Sequence, residues 1–119
     1  MHRLAYHDLS QEKDYHNLMG GLLSPLASKY TISSNKESGY GRCDHILTPI
    51  AGRGDHAIII EYKVVKDKKE LDAIAKAGLA QIQAKQYEAT IKQQTHVKKI
   101  SKISLSFFGK QVALYYSIA

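Results

Sequence analysis

The stretch HAIIIEYKVV, residues 56–65, decides the fold. It is rich in β-branched residues and nearly continuously apolar, the pattern of a strand buried on both faces in the middle of a sheet. Side chains alternate along a strand, so Glu61 and Lys63 share one face and Tyr62 takes the other. A carboxylate and an ammonium on a core strand are costly unless they are paired or bind an ion. The acid-x-Lys form alone is weak evidence, because Asp67-Lys68-Lys69 has it too and reads as a solvated turn. The surrounding IIIEYKVV sets Glu61 and Lys63 apart.

Working outward, RCDHILTPI (42–50) reads as the preceding strand and AGRGD (51–55) as the turn between the two. TISSNKESGYGR (31–42) is polar and glycine-bearing, with room for a ragged strand. Before it, Ser10 caps a helix in which Tyr15, Leu18, Met19, Leu22 and Leu23 recur at helical spacing. Gly20-Gly21 and Pro25 weaken that helix, and Ser24-Pro25 suits the start of a second short turn. After the central strand, residues 67–94 read as a long helix with Leu71, Ile74, Ala75, Gly78, Ile82 and Ala89 on one stripe. Ala75 and Gly78 are small enough to let it approach a sheet closely. KISLSFF (102–108) and QVALYYSIA (111–119) are two last strands joined by Gly109-Lys110 as a tight turn. The expected architecture is α/β, a mixed β-sheet flanked by helices in αβββαββ order, forming a single domain over residues 1–119.

The chain of 119 residues, 44% hydrophobic and 24% charged, excludes a disordered protein. No apolar run approaches the ~20 residues of a bilayer-spanning helix. The first twenty residues carry charges throughout and lack the apolar region of a signal peptide, so the expectation is a cytoplasmic protein or an excised domain. A single cysteine, Cys43, makes neither an internal disulfide nor a multi-cysteine zinc site. It is expected to pack in the core. The net charge of +6 is unevenly placed. Residues 1–62 hold six basic and seven acidic side chains, and residues 63–119 hold eleven lysines against four acids. A one-sided basic surface suits a polyanion, because lysine–phosphate contacts release condensed counterions; a merely soluble lysine-rich surface reads the same way.

Asp44, on the strand before the turn, is the second acid. A hairpin across residues 52–55 pairs it with a position near 62 or 63, so that Asp44 and Glu61 could converge within one ion's reach. Two carboxylates and a lysine at a sheet edge suit Mg²⁺, which takes hard oxygen ligands and leaves room for a phosphate and a water. The alternative is a structural Asp44–Lys63 salt bridge. Other chemistry is missing: there is no His-Glu-x-x-His or His-x-His, no Gly-x-Ser-x-Gly elbow and no phosphate-cradling P-loop. Arg53-Gly54-Asp55 reads as part of a turn.

ESGYGRCD (37–44), AIIIEYKV (57–64), AGLAQIQAKQY (77–87) and FFGKQV (107–112) together resemble the PD-(D/E)XK nuclease domain. The resemblance covers about residues 10–115. It is nearest to the branch often found C-terminal to an AAA-ATPase-like domain, whose usual opening Tyr15-His16 and the GGLL of residues 20–23 also match. It implies a restriction-endonuclease-like core, Mg²⁺ or Mn²⁺ as cofactor and DNA as partner. Carried over by position, Asp44 and Glu61 bind the metal, Lys63 assists the attacking water, and Tyr62 lends its backbone carbonyl. Gln81 matches the glutamine on the helix after the catalytic strand, in competition with a Gln83-x-x-x-Tyr87 register. Lys85, four residues on, and Arg42 are candidate phosphate contacts, Arg42 with the alternative of pairing with Glu37. Some relatives draw an extra ligand from the first helix, where Glu12 and His16 share a face. The expected function is therefore a metal-dependent nuclease acting on DNA. The alternatives are a non-catalytic nucleic-acid-binding or partner-docking module on the same fold, and a structural homodimer joined through SFF and ALYYSIA.

Overall fold

The apolar run at residues 56–65 becomes the central strand of a five-stranded sheet. The computed structural model describes residues 12–35, 43–84 and 91–118. In chain order the elements are α1 (Glu12–Leu23), a 3-10 turn (Ser24–Ser28), β1 (Tyr30–Asn35), β2 (Cys43–Pro49), β3 (His56–Val64), a second 3-10 turn (Lys68–Glu70), α2 (Leu71–Ala84), β4 (Lys99–Phe108) and β5 (Gln111–Ile118). The αβββαββ order is the expected one. The strands lie in the order β1-β2-β3-β4-β5. The first three form an antiparallel meander, β3 and β4 run parallel, and β5 returns antiparallel. A parallel step needs a crossover connection, and α2 supplies it.

Strand alternation sends two apolar sets to opposite faces. On one face Ala57, Ile59 and Ile100 pack with Ile82 of α2 and with Ile91 and Val97. On the other, Leu47, Ile60 and Tyr62 pack with Tyr15 of α1. Tyr15 is almost fully buried, stacks on Phe107 at 4.5 Å between ring centroids, and donates its hydroxyl to the Gly109 carbonyl at 3.3 Å. Truncating so buried an aromatic costs about 3–5 kcal/mol. Beneath it, His45 Nε2 and the Tyr62 hydroxyl lie 2.9 Å apart in a buried hydrogen bond.

Three boundaries differ from the sequence reading. The second helix starts at Leu71, because the Asp67 side chain accepts the Lys69 N–H at 2.9 Å and caps a 3-10 turn ahead of it. At the other end, residues 92–96 form turns instead of a last helical turn. There His96 Nε2 hydrogen-bonds the Pro49 carbonyl at 2.6 Å and helps turn the chain back into β4. In the hairpin, Gly52 takes a left-handed φ of 87° inside a turn closed from Arg53 N–H to the Ile50 carbonyl. The reversal therefore comes earlier than a turn centred on residues 52–55, and Asp44 pairs with Glu61, not with 62 or 63. Pro25 opens the 3-10 turn after α1, where its missing N–H costs nothing. Ser10, the expected cap of α1, lies outside the described residues.

Candidate active site

Glu61 occupies the middle of β3 and is only 2% exposed. Lys63, two residues on and on the same face, is half-buried. Beside them is a cavity of about 110 Å³ between β3, β4 and α2, lined by Glu61, Tyr62, Lys63, Ile74, Ala77, Gly78, Gln81, Ser104 and Leu105. It brings three of the expected catalytic side chains together. Glu61 is almost fully buried there, where electrostatic interactions are stronger than in water, while Lys63 is half-buried and Gln81 exposed.

Two serines position the helix that forms the far wall. The parallel register sets Ser104 beside Glu61 and Ser106 beside Lys63. Ser106 is fully buried and donates its hydroxyl to the Leu71 carbonyl at 2.5 Å, anchoring the first turn of α2. Further along, α2 crosses Ser104 at Gly78, so closely that a Cβ on residue 78 would overlap the Ser104 hydroxyl. Gln81 follows nearly one turn later and reaches the cavity wall. Gln81 and, in the competing register, Gln83 are both exposed, but Gln83 is not part of the lining.

The β2–β3 register sets Asp44 directly opposite Glu61. Cross-strand partners occupy one face of a sheet with Cβ atoms about 4.5–5.5 Å apart. Only the backbone of Asp44 is described, and the same is true of His16 and Glu12 on α1. That helix packs through Tyr15 on the face opposite the cavity. Arg42, Glu37, Lys85 and Tyr87 lie outside the described residues, and so does the side chain of Cys43. Among the described residues no group of three or more His, Cys, Asp or Glu side chains is poised to hold a metal. The second acid-x-Lys run behaves as expected, with residues 66–70 all exposed.

The sequence reading missed Ser104 and the nearly buried Lys102, which is 7% exposed and two residues before Ser104 on the same face. The signal was in KISLSFF: alternation puts Lys102, Ser104 and Ser106 on one side and Ile103, Leu105 and Phe107 on the other. Placing that polar side next to Glu61 needed the parallel register.

Residues 10–116 match a family model described as the PD-(D/E)XK nuclease superfamily. The mixed five-stranded sheet with two helices is consistent with a restriction-endonuclease-like fold. No curated protein and no solved structure matches the chain. Among the described residues no helix is long and apolar enough to cross a membrane.

Proposed function

The chain belongs to the PD-(D/E)XK nuclease superfamily, and from that premise we propose that it hydrolyses phosphodiester bonds of DNA with the help of Mg²⁺ or Mn²⁺. The observation that carries the reading is the joining of Glu61, Lys63 and Gln81 in one small cavity, with Asp44 opposite Glu61 on the neighbouring strand. The donor set fits a hard divalent cation. It offers two carboxylate positions on adjacent strands and the backbone carbonyl of Tyr62 next to Glu61, the hard oxygen donors that Mg²⁺ prefers. Asp44 and Glu61 would hold the ion; His16, the third candidate from the sequence, sits on the helix that packs on the opposite face of the sheet. When bound, such an ion polarises the phosphate and lowers the pKa of a water.

The chain's own residues do the rest. Lys63 positions the attacking water and steadies charge developing on the phosphate as one P–O bond forms and the bond to the leaving oxygen breaks. Gln81 orients the water or a phosphate oxygen from the opposite wall. Lys85 and Arg42 contact the backbone of the bound strand. The lysine excess of residues 63–119 holds DNA with little sequence preference, so binding falls steeply as salt rises. We place the chain in the cytoplasm, and take an AAA-ATPase-like domain as the partner that relatives of the resembled branch carry.

A second reading is a nucleic-acid-binding or partner-docking module on the same fold, which a fold alone does not distinguish from an enzyme. Calorimetric titration with Mn²⁺ separates the two. The nuclease reading expects saturable binding that is lost in Asp44→Ala and in Glu61→Ala while far-UV circular dichroism is unchanged. Absence of Mn²⁺ binding by the folded wild type would favour the docking module.

A further inference from the structure

We propose that two copies of this chain associate through β5, pairing edge to edge so that the two five-stranded sheets become one. Among the described residues β5 ends the sheet, and one side of its backbone has no strand partner. Natural edge strands are guarded by charges, proline, bulges or shortness. Gln111–Ile118 has none of these over 8 residues, reading QVALYYSI without a charged side chain. The opposite edge, β1, is shorter and mostly polar, YTISSN.

The apolar pattern of β5 makes the same point. Val112, Leu114, Tyr116 and Ile118 alternate onto one face and are 54%, 53%, 62% and 58% exposed. They continue the face formed by Ile103, Leu105 and Phe107 of β4, but among the described residues α1 and its partners cover that face only as far as β4. The uncovered stripe exposes on the order of 400 Å² of apolar surface, the size at which such patches mark interaction sites. Edge-to-edge pairing sets the two stripes side by side, so that the paired backbone and the facing flanks of these side chains are buried between the copies.

Charge selects a second copy as the occupant. Each chain carries +6, so two copies repel wherever their lysines meet. The eight uncharged residues of β5 let them approach without like charges in register. The strand is also self-complementary about Tyr115. An antiparallel two-fold pairing centred there sets Leu114 against Tyr116 and Val112 against Ile118 of the second copy, gathering all eight apolar side chains on one face. On the other face the two Tyr115 rings meet, each hydroxyl donating to Asp72 Oδ1 of its own α2 at 2.7 Å. A pairing centred on Leu114 would use as many residues but would set Ile118 against Lys110, bringing a charge onto the apolar face.

The test is the mass in solution, which is independent of any cleavage. Sedimentation equilibrium of the wild type should give twice the chain mass at micromolar concentration, with association strengthened or unchanged by added salt. The double variant Leu114→Lys, Tyr116→Lys should be a folded monomer by the same measurement and by circular dichroism. Leu114→Glu, Tyr116→Lys should dimerise again, because the proposed register faces each Glu with a Lys. A monomeric wild type would overturn the proposal, as would a dimer that the double-lysine variant leaves intact or one that the Glu/Lys pair fails to restore.

Discussion

Gly78 is the point at which the architecture sets the geometry of the site. A Cβ added there overlaps the Ser104 hydroxyl and comes within 3.4 Å of Ser104 Cβ, with Ser104 buried at 2% exposure. The Gly78→Ala variant must rotate that hydroxyl in a packed interior or lift α2 by roughly 1 Å. Overpacking of this kind costs about 1–3 kcal/mol. Alanine gains about 1 kcal/mol over glycine in a helix interior, so the net loss is about 0–2 kcal/mol. The effect on activity is larger, because Gln81 rides less than one turn away and a displacement near 1 Å costs about 100-fold in rate. Removing the hydroxyl should undo the damage. With Ser104→Ala the remaining contact is the tight 3.4 Å one, and the helix-propensity gain stands uncompensated. Urea melts of the two single variants and the double variant, with cleavage rates alongside, form a double-mutant cycle. A coupling of about 1 kcal/mol or more is expected, with the double variant at least as stable as Ser104→Ala alone. Additive effects, or a Gly78→Ala protein more stable than wild type and fully active, would refute the close-approach reasoning.

Three other perturbations have definite outcomes. Lys63→Ala should lower the single-turnover cleavage rate by about 100-fold or more while changing DNA affinity by less than tenfold, as expected of a group that acts mainly on developing charge. Tyr62→Phe removes one buried hydrogen bond to His45 Nε2 and should cost about 0.5–1.5 kcal/mol in a urea melt, with cleavage retained because the Tyr62 side chain packs on the face opposite the cavity. The Tyr115 phenol is pushed above its usual range by its hydrogen bond to Asp72, with smaller contributions from burial and from the charge of Asp72. Whatever that bond adds to stability is present below the ordinary tyrosine pKa and is lost as pH rises through the raised one. Ultraviolet titration should show a late-ionising tyrosine that disappears in Tyr115→Phe and moves earlier in Asp72→Asn; no change in either variant would contradict the contact.

How much of this was legible in the sequence follows from which interactions are local. The central strand declared itself because β-branched residues on both faces leave no other buried element of that length. The same alternation separated Glu61 and Lys63 from Tyr62. Asp44 was paired with a position one or two residues too late, because the choice between Gly52 and Gly54 as the left-handed residue depends on the whole turn. There Arg53 also donates its side chain to the Ser28 carbonyl at 2.8 Å. The ends of the long helix were misjudged for a related reason: the Asp67 cap and the bond from His96 to the Pro49 carbonyl compete with helix continuation, and the second partner is 47 residues away. Ser104 and Lys102 were missed because nothing local marks a serine or lysine in a strand as a neighbour of Glu61. ALYYSIA was legible as an interface only as one alternative, since QVALYYSI reads the same in a covered strand and in a bare one.

The central claim is that Glu61 sits at a metal-dependent phosphodiesterase site. Supercoiled plasmid incubated with wild type and with Glu61→Gln, in Mn²⁺, in Mg²⁺ and in EDTA, tests it most directly when DNA binding is measured on the same preparations. The account predicts nicked or linear product with wild type plus metal, none in EDTA, and none with a Glu61→Gln protein that still binds DNA. Equal cleavage by the folded variant, or cleavage undiminished by EDTA, would contradict it.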